Sequence, residues 1–261
     1  MRGRHLLHAL VAFVLSPVLL SGAVSAQIKT QWVDYTHGNT KLKAYMAYDD
    51  KQTGKRPAIL IVHAREGMSQ KTRNLTEMWA SHGYVAFATD IFGFGQGVLP
   101  KNVDEMNAQT SIYMADRPMM NARTKAGFDA LAQQPLVDTG RIALIGYCFG
   151  GAVGVEFGAT GAPLALNVSI HGSFRGHQPG WAKTAKGMFL ILHGAEDKGF
   201  PLAGSVFPVV DELRAAQAPF HLEVYSGTDH GFSTPKNKAE ERANTQSIAT
   251  AVRTLKEIFG R

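Results

Sequence analysis

Internal disulfides are excluded from this chain, because its 261 residues contain one cysteine, Cys148. Charge is also scarce. Asp, Glu, Lys and Arg make up 18% of the residues, and 27 basic against 21 acidic side chains leave a net +6. No basic run interleaves with aromatics, so no nucleic-acid partner is expected. Repeats, low-complexity tracts and an obvious interdomain linker are missing as well. The N-terminal apolar stretch, Leu6 to Leu20, is broken by Ser16 and Pro17 and is short of the roughly 20 residues a membrane span needs. It follows Arg2 and Arg4 and precedes Val24-Ser25-Ala26, which is the order of a cleavable export signal. Residues 1–26 are therefore expected to be a signal peptide, leaving a periplasmic or secreted protein that begins at Gln27 and has no stable membrane anchor. Residues 27–261 are expected to form one domain.

At 45% hydrophobic, the chain has the composition of a globular protein. A domain of roughly 230 residues buries about 70% or more of the surface its unfolded chain exposes, so a large core needs no covalent help. Gln31 to Thr36 and Leu42 to Tyr48 alternate apolar with polar around His37-Gly38-Asn39, predicting an opening hairpin. Pro57 to His63, Tyr84 to Thr89, Arg141 to Ile145, Leu164 to Ile170, Met188 to Leu192 and His221 to Tyr225 read as further strands, several of them apolar throughout. Helical spacing runs over Thr72 to Ser81, Met120 to Gln133, Ala152 to Ala159, Ser205 to Gln217 and Ala239 to Phe259. Alternating strands and helices predict an α/β fold, with a mostly parallel central sheet and helices on both faces. Ligands bind such sheets outside the C-terminal strand ends. Residues 93–118 and 173–186 read as insertions at that edge, either plain connections or pocket walls.

The chemistry centres on Gly146-Tyr-Cys148-Phe-Gly-Gly151, which follows a buried strand and opens an apolar helix. This is the strand–turn–helix elbow of a nucleophile, with cysteine in the serine position. It would hold the sulfur at a helix N-terminus, where the dipole and free N–H groups favour a thiolate. A base and an orienting acid are expected in the order nucleophile, acid, histidine. Asp197 falls just past one strand and His230 in the loop after the next, so both reach the same sheet edge as Cys148. His171 breaks that order, and His193 reads as a structural bridge between loops. Glu196 and Asp229 are the alternative carboxylates. No metal or cofactor is called for.

Gly146-Tyr-Cys-Phe-Gly-Gly151, Leu192-His-Gly-Ala-Glu-Asp197 and Asp229-His-Gly-Phe232 together resemble the dienelactone hydrolase family, over essentially the whole of residues 27–261. The resemblance implies the α/β-hydrolase fold and a Cys148–His230–Asp197 triad acting on a small ester or lactone. It also implies that Glu66, in His63-Ala-Arg-Glu-Gly67, accepts a hydrogen bond from the resting thiol. The oxyanion donors expected from the fold are the N–H groups of Phe149 and Gly67. The family's carboxylate-binding arginines, after the fourth strand and after the catalytic histidine, have no counterpart in Asp90-Ile-Phe-Gly-Phe94 or His230-Gly-Phe-Ser-Thr234. Arg117, Arg123 and Arg175 are the candidates to replace them. An apolar pocket of Phe92, Phe94, Phe149 and Phe232, with Trp181 from the second insertion, is expected to suit a less charged ester. The rival readings are a thiol-based redox or binding protein on a hydrolase scaffold, and a thioesterase or peptidase-type acyl hydrolase. A monomer or small homo-oligomer fits either class.

Overall fold

Two polar-alternating strands open the structure: β1 (Ile28–His37) and β2 (Thr40–Asp49) pair antiparallel about a turn at Gly38. The computed structural model describes residues 26–177 and 179–260, so the signal expected over residues 1–26 lies, except for its last residue, outside them. Six more strands follow: β3 (Arg56–Val62), β4 (Val85–Thr89), β5 (Val137–Tyr147), β6 (Leu166–Ile170), β7 (Met188–Gly194) and β8 (Phe220–Tyr225). They form one sheet in the order β1-β2-β4-β3-β5-β6-β7-β8. The pairs from β4 to β8 are parallel. The chain enters at β3, steps outward to β4, then returns to β5 on the other side of β3. That reversal opens a crevice at the C-terminal ends of β3 and β5.

The helices are α1 (Gln70–Ser81), α2 (Val103–Ala115), α3 (Arg117–Ala132), α4 (Phe149–Ala159), α5 (Phe207–Ala215) and α6 (Lys238–Phe259). α1 and α6 cover one face, where Trp79, Leu255 and Phe259 meet Ile59 and Ile61. α3, α4 and α5 cover the other, where Leu131 and Val153 meet Leu60 and Val62 and Leu213 packs with Phe189. Successive residues of β3 point to opposite faces, and all seven are buried. This explains its unbroken apolar run. No helix among the described residues is long and apolar enough to cross a membrane.

Two elements differ from expectation. Residues 93–118, expected to be either a plain connection or a pocket wall, contain a full helix, α2. Only Tyr113 of α2 is buried, so core packing imposes no apolar period on its sequence. Its start is legible in another way: Asn102 accepts from Glu105 N–H at 2.9 Å, and Glu105 accepts from Lys101 N–H at 2.8 Å. The helix expected over Ser205–Gln217 is split into a π turn (Leu202–Val206) and then α5, with Pro208 in the first turn of α5.

At the crevice, β5 passes into α4 through Cys148, whose φ of 53° is rare for a residue with a side chain. A Cβ on Gly146 would collide with Gly150 O, and one on Gly150 would collide with Val62 O. The elbow therefore exists because α4 starts in contact with both its own strand and β3. Gly150→Ala should destabilise the fold by about 1–3 kcal/mol through overpacking. At roughly 2–4 °C per kcal/mol for a domain of this size, a thermal melt reads this as a clear fall in midpoint.

Candidate active site

The elbow places Cys148 Sγ at the C-terminal edge of the sheet, half-buried and 3.1 Å from His230 Nε2. His230 Nδ1 lies 2.7 Å from Asp197 Oδ2. Asp197 is 2% exposed, and its other oxygen accepts from Phe200 N–H at 2.9 Å. Strands β5 and β7 and the loop after β8 thus bring together the three residues singled out from the sequence. Of the alternative carboxylates, Glu196 is exposed, and Asp229 caps His230 N–H at 2.7 Å. His193 Nε2 meets Phe200 O at 2.9 Å and stands 3.4 Å from Asp197, behind the relay. His171 packs its ring edge-on against His230, with centroids 5.2 Å apart, and holds Ser233 Oγ at 2.8 Å.

Opposing effects set the charge of these groups. Burial by itself would push the His230 imidazole down. Its hydrogen bonds to Asp197 and Cys148, with their charges, outweigh burial and hold it up at about 9. Burial likewise opposes ionisation of Asp197, yet the bond and charge of His230 and the Phe200 N–H keep its carboxyl below the usual range. His171 has no such partner. Burial first, then the charges of His230 and Lys71, push it well below the ordinary histidine value, so it stays neutral.

Cys148 opens into a cavity of about 780 Å³. The insertions supply much of its wall: Asn107, Thr110, Ser111, Met114 and Arg117 from the first, Ser173, Arg175 and Gly176 from the second. The expected aromatic pocket is absent. Of that set, only Phe149 lines the cavity. Phe92 is buried against His63 and Phe149, and Phe94 stacks on Trp32 at 5.3 Å. Phe232 is buried behind His171, and Trp181 stacks on His177 at 4.6 Å. Phe92 and Phe232 are drawn into the core, as apolar burial favours, while Phe94 and Trp181 are half-buried against other rings. Charged side chains from distant segments took the wall. Arg65, Lys71, Arg117, Arg175 and Lys236 face it against only Glu66 and Asp229. Arg123 is elsewhere, buried and bonded to Ile91 O at 2.7 Å.

Two further expectations change. Glu66 lines the cavity, but the thiol's partner is His230, and Glu66 Oε2 is buried with no hydrogen-bond partner. Gly67 N–H donates to Ala64 O at 3.1 Å, closing a turn, and Gly67 is not part of the cavity wall. To serve an oxyanion it would have to leave that bond. Phe149 N–H, in the first turn of α4, makes no hydrogen bond among the described residues. The network around Arg117 and Arg175 was beyond sequence reasoning, apart from one signal: Glu156 is a lone charge in the otherwise uncharged α4.

Known proteins match this chain in sequence and fold. Residues 42–260 fit the model of the dienelactone hydrolase family. A Synechocystis protein named "Putative carboxymethylenebutenolidase" is 26% identical over 254 residues, covering 90% of this chain and 98% of that one. The crystal structure of a dienelactone hydrolase-like promiscuous phosphotriesterase from metagenomic libraries superposes with a TM-score of 0.82 at 27% identity, covering 89% of this chain and 99% of its own. The structure named m3DLH gives 0.83 at 28% identity with the same coverages. On its motifs, its fold and its match over residues 42–260, the chain belongs to the dienelactone hydrolase family.

Proposed function

We propose that this protein hydrolyses a carboxylic ester or lactone bearing an acidic group, through an acyl-thioester on Cys148. The observation that carries the reading is the unbroken relay, 3.1 Å from sulfur to imidazole and 2.7 Å from imidazole to carboxylate, at the floor of an open cavity. An unassisted cysteine is only a few per cent thiolate at neutral pH, so the relay is what makes the sulfur a nucleophile. In the resting pair His230 already holds the proton drawn from the thiol, and Sγ adds as a thiolate to the carbonyl carbon. The carbonyl oxygen becomes an oxyanion facing Phe149 N–H at the start of α4. As the C–O bond to the leaving group breaks, His230 returns the proton to the departing oxygen, and the acyl group stays on sulfur. Water then gives its proton to His230 and attacks the thioester. The second collapse releases the acid and leaves the thiolate beside the protonated His230, as at the start. Asp197 stabilises the imidazolium in both halves and fixes the ring so that Nε2 faces the sulfur. The surplus of cations in the wall favours an acidic substrate over the neutral ester expected from an aromatic pocket. Export is inferred from residues 1–26 by their sequence alone.

Cys148→Ala should lower kcat on a chromogenic ester by at least about a thousandfold. Turnover persisting in that variant, in protein freed of contaminating esterase, would sink the assignment. Because His230 is held protonated up to about 9, kcat/KM should fall as pH rises through that value and the proton needed by the leaving group is lost. Asp197→Asn removes two of the contributions that raise the imidazole, so the alkaline limb should move to lower pH. A pH–rate profile with its limb unmoved would contradict the role given to Asp197. Mass spectrometry of the protein secreted by an expressing host should find Gln27 as its first residue.

A further inference from the structure

Glu156 lies two turns past Cys148 in α4 and is 9% exposed. A carboxylate that buried needs partners. Arg117 Nη1 donates to its Oε1, and His177 Nδ1 stands 2.7 Å from the same oxygen, at ion-pair distance but without hydrogen-bond geometry. The rest of the Arg117 guanidinium is occupied too. Nε donates to Met114 O at 2.8 Å and Nη2 to Arg175 O at 2.5 Å. One planar fork therefore ties together the last turn of α2, the first turn of α3, helix α4 and the loop after β6. Met114, Arg117 and Arg175 are all cavity-wall residues.

With its carbonyl pinned, Arg175 lays its own guanidinium over Phe200, Cζ being 4.5 Å from the ring centroid. Phe200 is itself 5.0 Å, ring to ring, from His230, and its N–H is bound to Asp197. The guanidinium of Arg175 makes no ion pair or hydrogen bond among the described residues. Stacked face-down on an aromatic ring, it keeps its edge N–H donors for a planar anion.

We propose that Arg175 recognises the acidic group of the substrate, and that Glu156 and Arg117 are positioning residues that fix its place beside the relay. The cation is thus delivered by the loop after β6, not by the segments after β4 or after His230. This rests on the hydrolase reading above and names the residues behind its substrate preference.

The test compares kcat and KM on 4-nitrophenyl acetate, which is neutral, with those on mono-4-nitrophenyl glutarate, whose acyl group is anionic. The wild type should prefer the anionic ester in kcat/KM. Arg175→Gln should cut that preference about tenfold or more, through the KM of the anionic ester, as expected for losing a charge-assisted bond. Glu156→Gln, equal in shape but uncharged, should cut it in the same direction, again through KM, with a cooperative melt retained. Should Glu156→Gln fail to fold, Arg117→Lys serves instead, since it keeps the pair with Glu156 but loses the fork to Arg175 O and Met114 O. An unchanged preference in Arg175→Gln overturns the proposal, and so does equal loss on both esters. A fall in kcat on both esters in Glu156→Gln assigns that residue a general structural role and overturns the positioning part. A wild type with no preference for the anionic ester overturns the acidic-substrate reading itself, and turnover surviving Cys148→Ala overturns the hydrolase reading, so the failures are distinguishable.

Discussion

The backward bend of the chain at Cys148 is the constraint on which the rest of the site depends. A φ of 53° on a residue with a side chain persists only where its surroundings over-determine it. Here they do. The Cys148 carbonyl accepts from Gly151, Ala152 and Ser173 N–H, and its own N–H is bound to Ile170 O. The same bonds that hold the sulfur clear of the sheet thus anchor α4 and the loop after β6. That loop goes on to carry Arg175, and α4 goes on to carry Glu156. Cys148 and the cavity wall are two ends of one packed unit.

The relay balances burial against partners. Desolvation works against charge on both His230 and Asp197, and each recovers more from its partners together than it loses: His230 from Asp197 and Cys148, Asp197 chiefly from His230 and the Phe200 N–H. His171 shows the outcome for a buried imidazole without a carboxylate: it remains neutral, and contributes shape and a hydrogen bond to Ser233. Three rings, His171, Phe200 and the imidazole they flank, therefore pack together while only His230 is charged at neutral pH.

The cavity is built from segments far apart in the chain. At about 780 Å³ it is roomy for a small ester. Its floor is the elbow and relay, but its wall is assembled from α2, the start of α3 and the loop after β6. α2 itself is buried at Tyr113 alone. Its residues Asn107, Thr110 and Ser111 line the cavity, so the wall is polar as well as cationic.

Local spacing determined the parts of this protein that depend on neighbours in the chain. The fully apolar β3, the hairpin about Gly38 and the Gly146-Tyr-Cys148-Phe-Gly150 turn each satisfy a backbone or burial requirement within a few residues, so the residue types reveal them. The order Cys148, Asp197, His230 was legible too, because parallel strands deliver successive loops to one edge. α2 was missed because a helix with one buried residue carries no apolar period. Phe92, Phe94, Phe232 and Trp181 were misplaced because whether an aromatic ring faces a pocket or the core depends on packing from other segments. Gly67 was misjudged because a turn bond to Ala64 leaves no mark in composition. Tertiary structure alone decided the charge of the cavity. Lys71, Arg117, Arg175 and Lys236 are spread across more than half the chain, and only folding brings their like charges to one wall against the nucleophile.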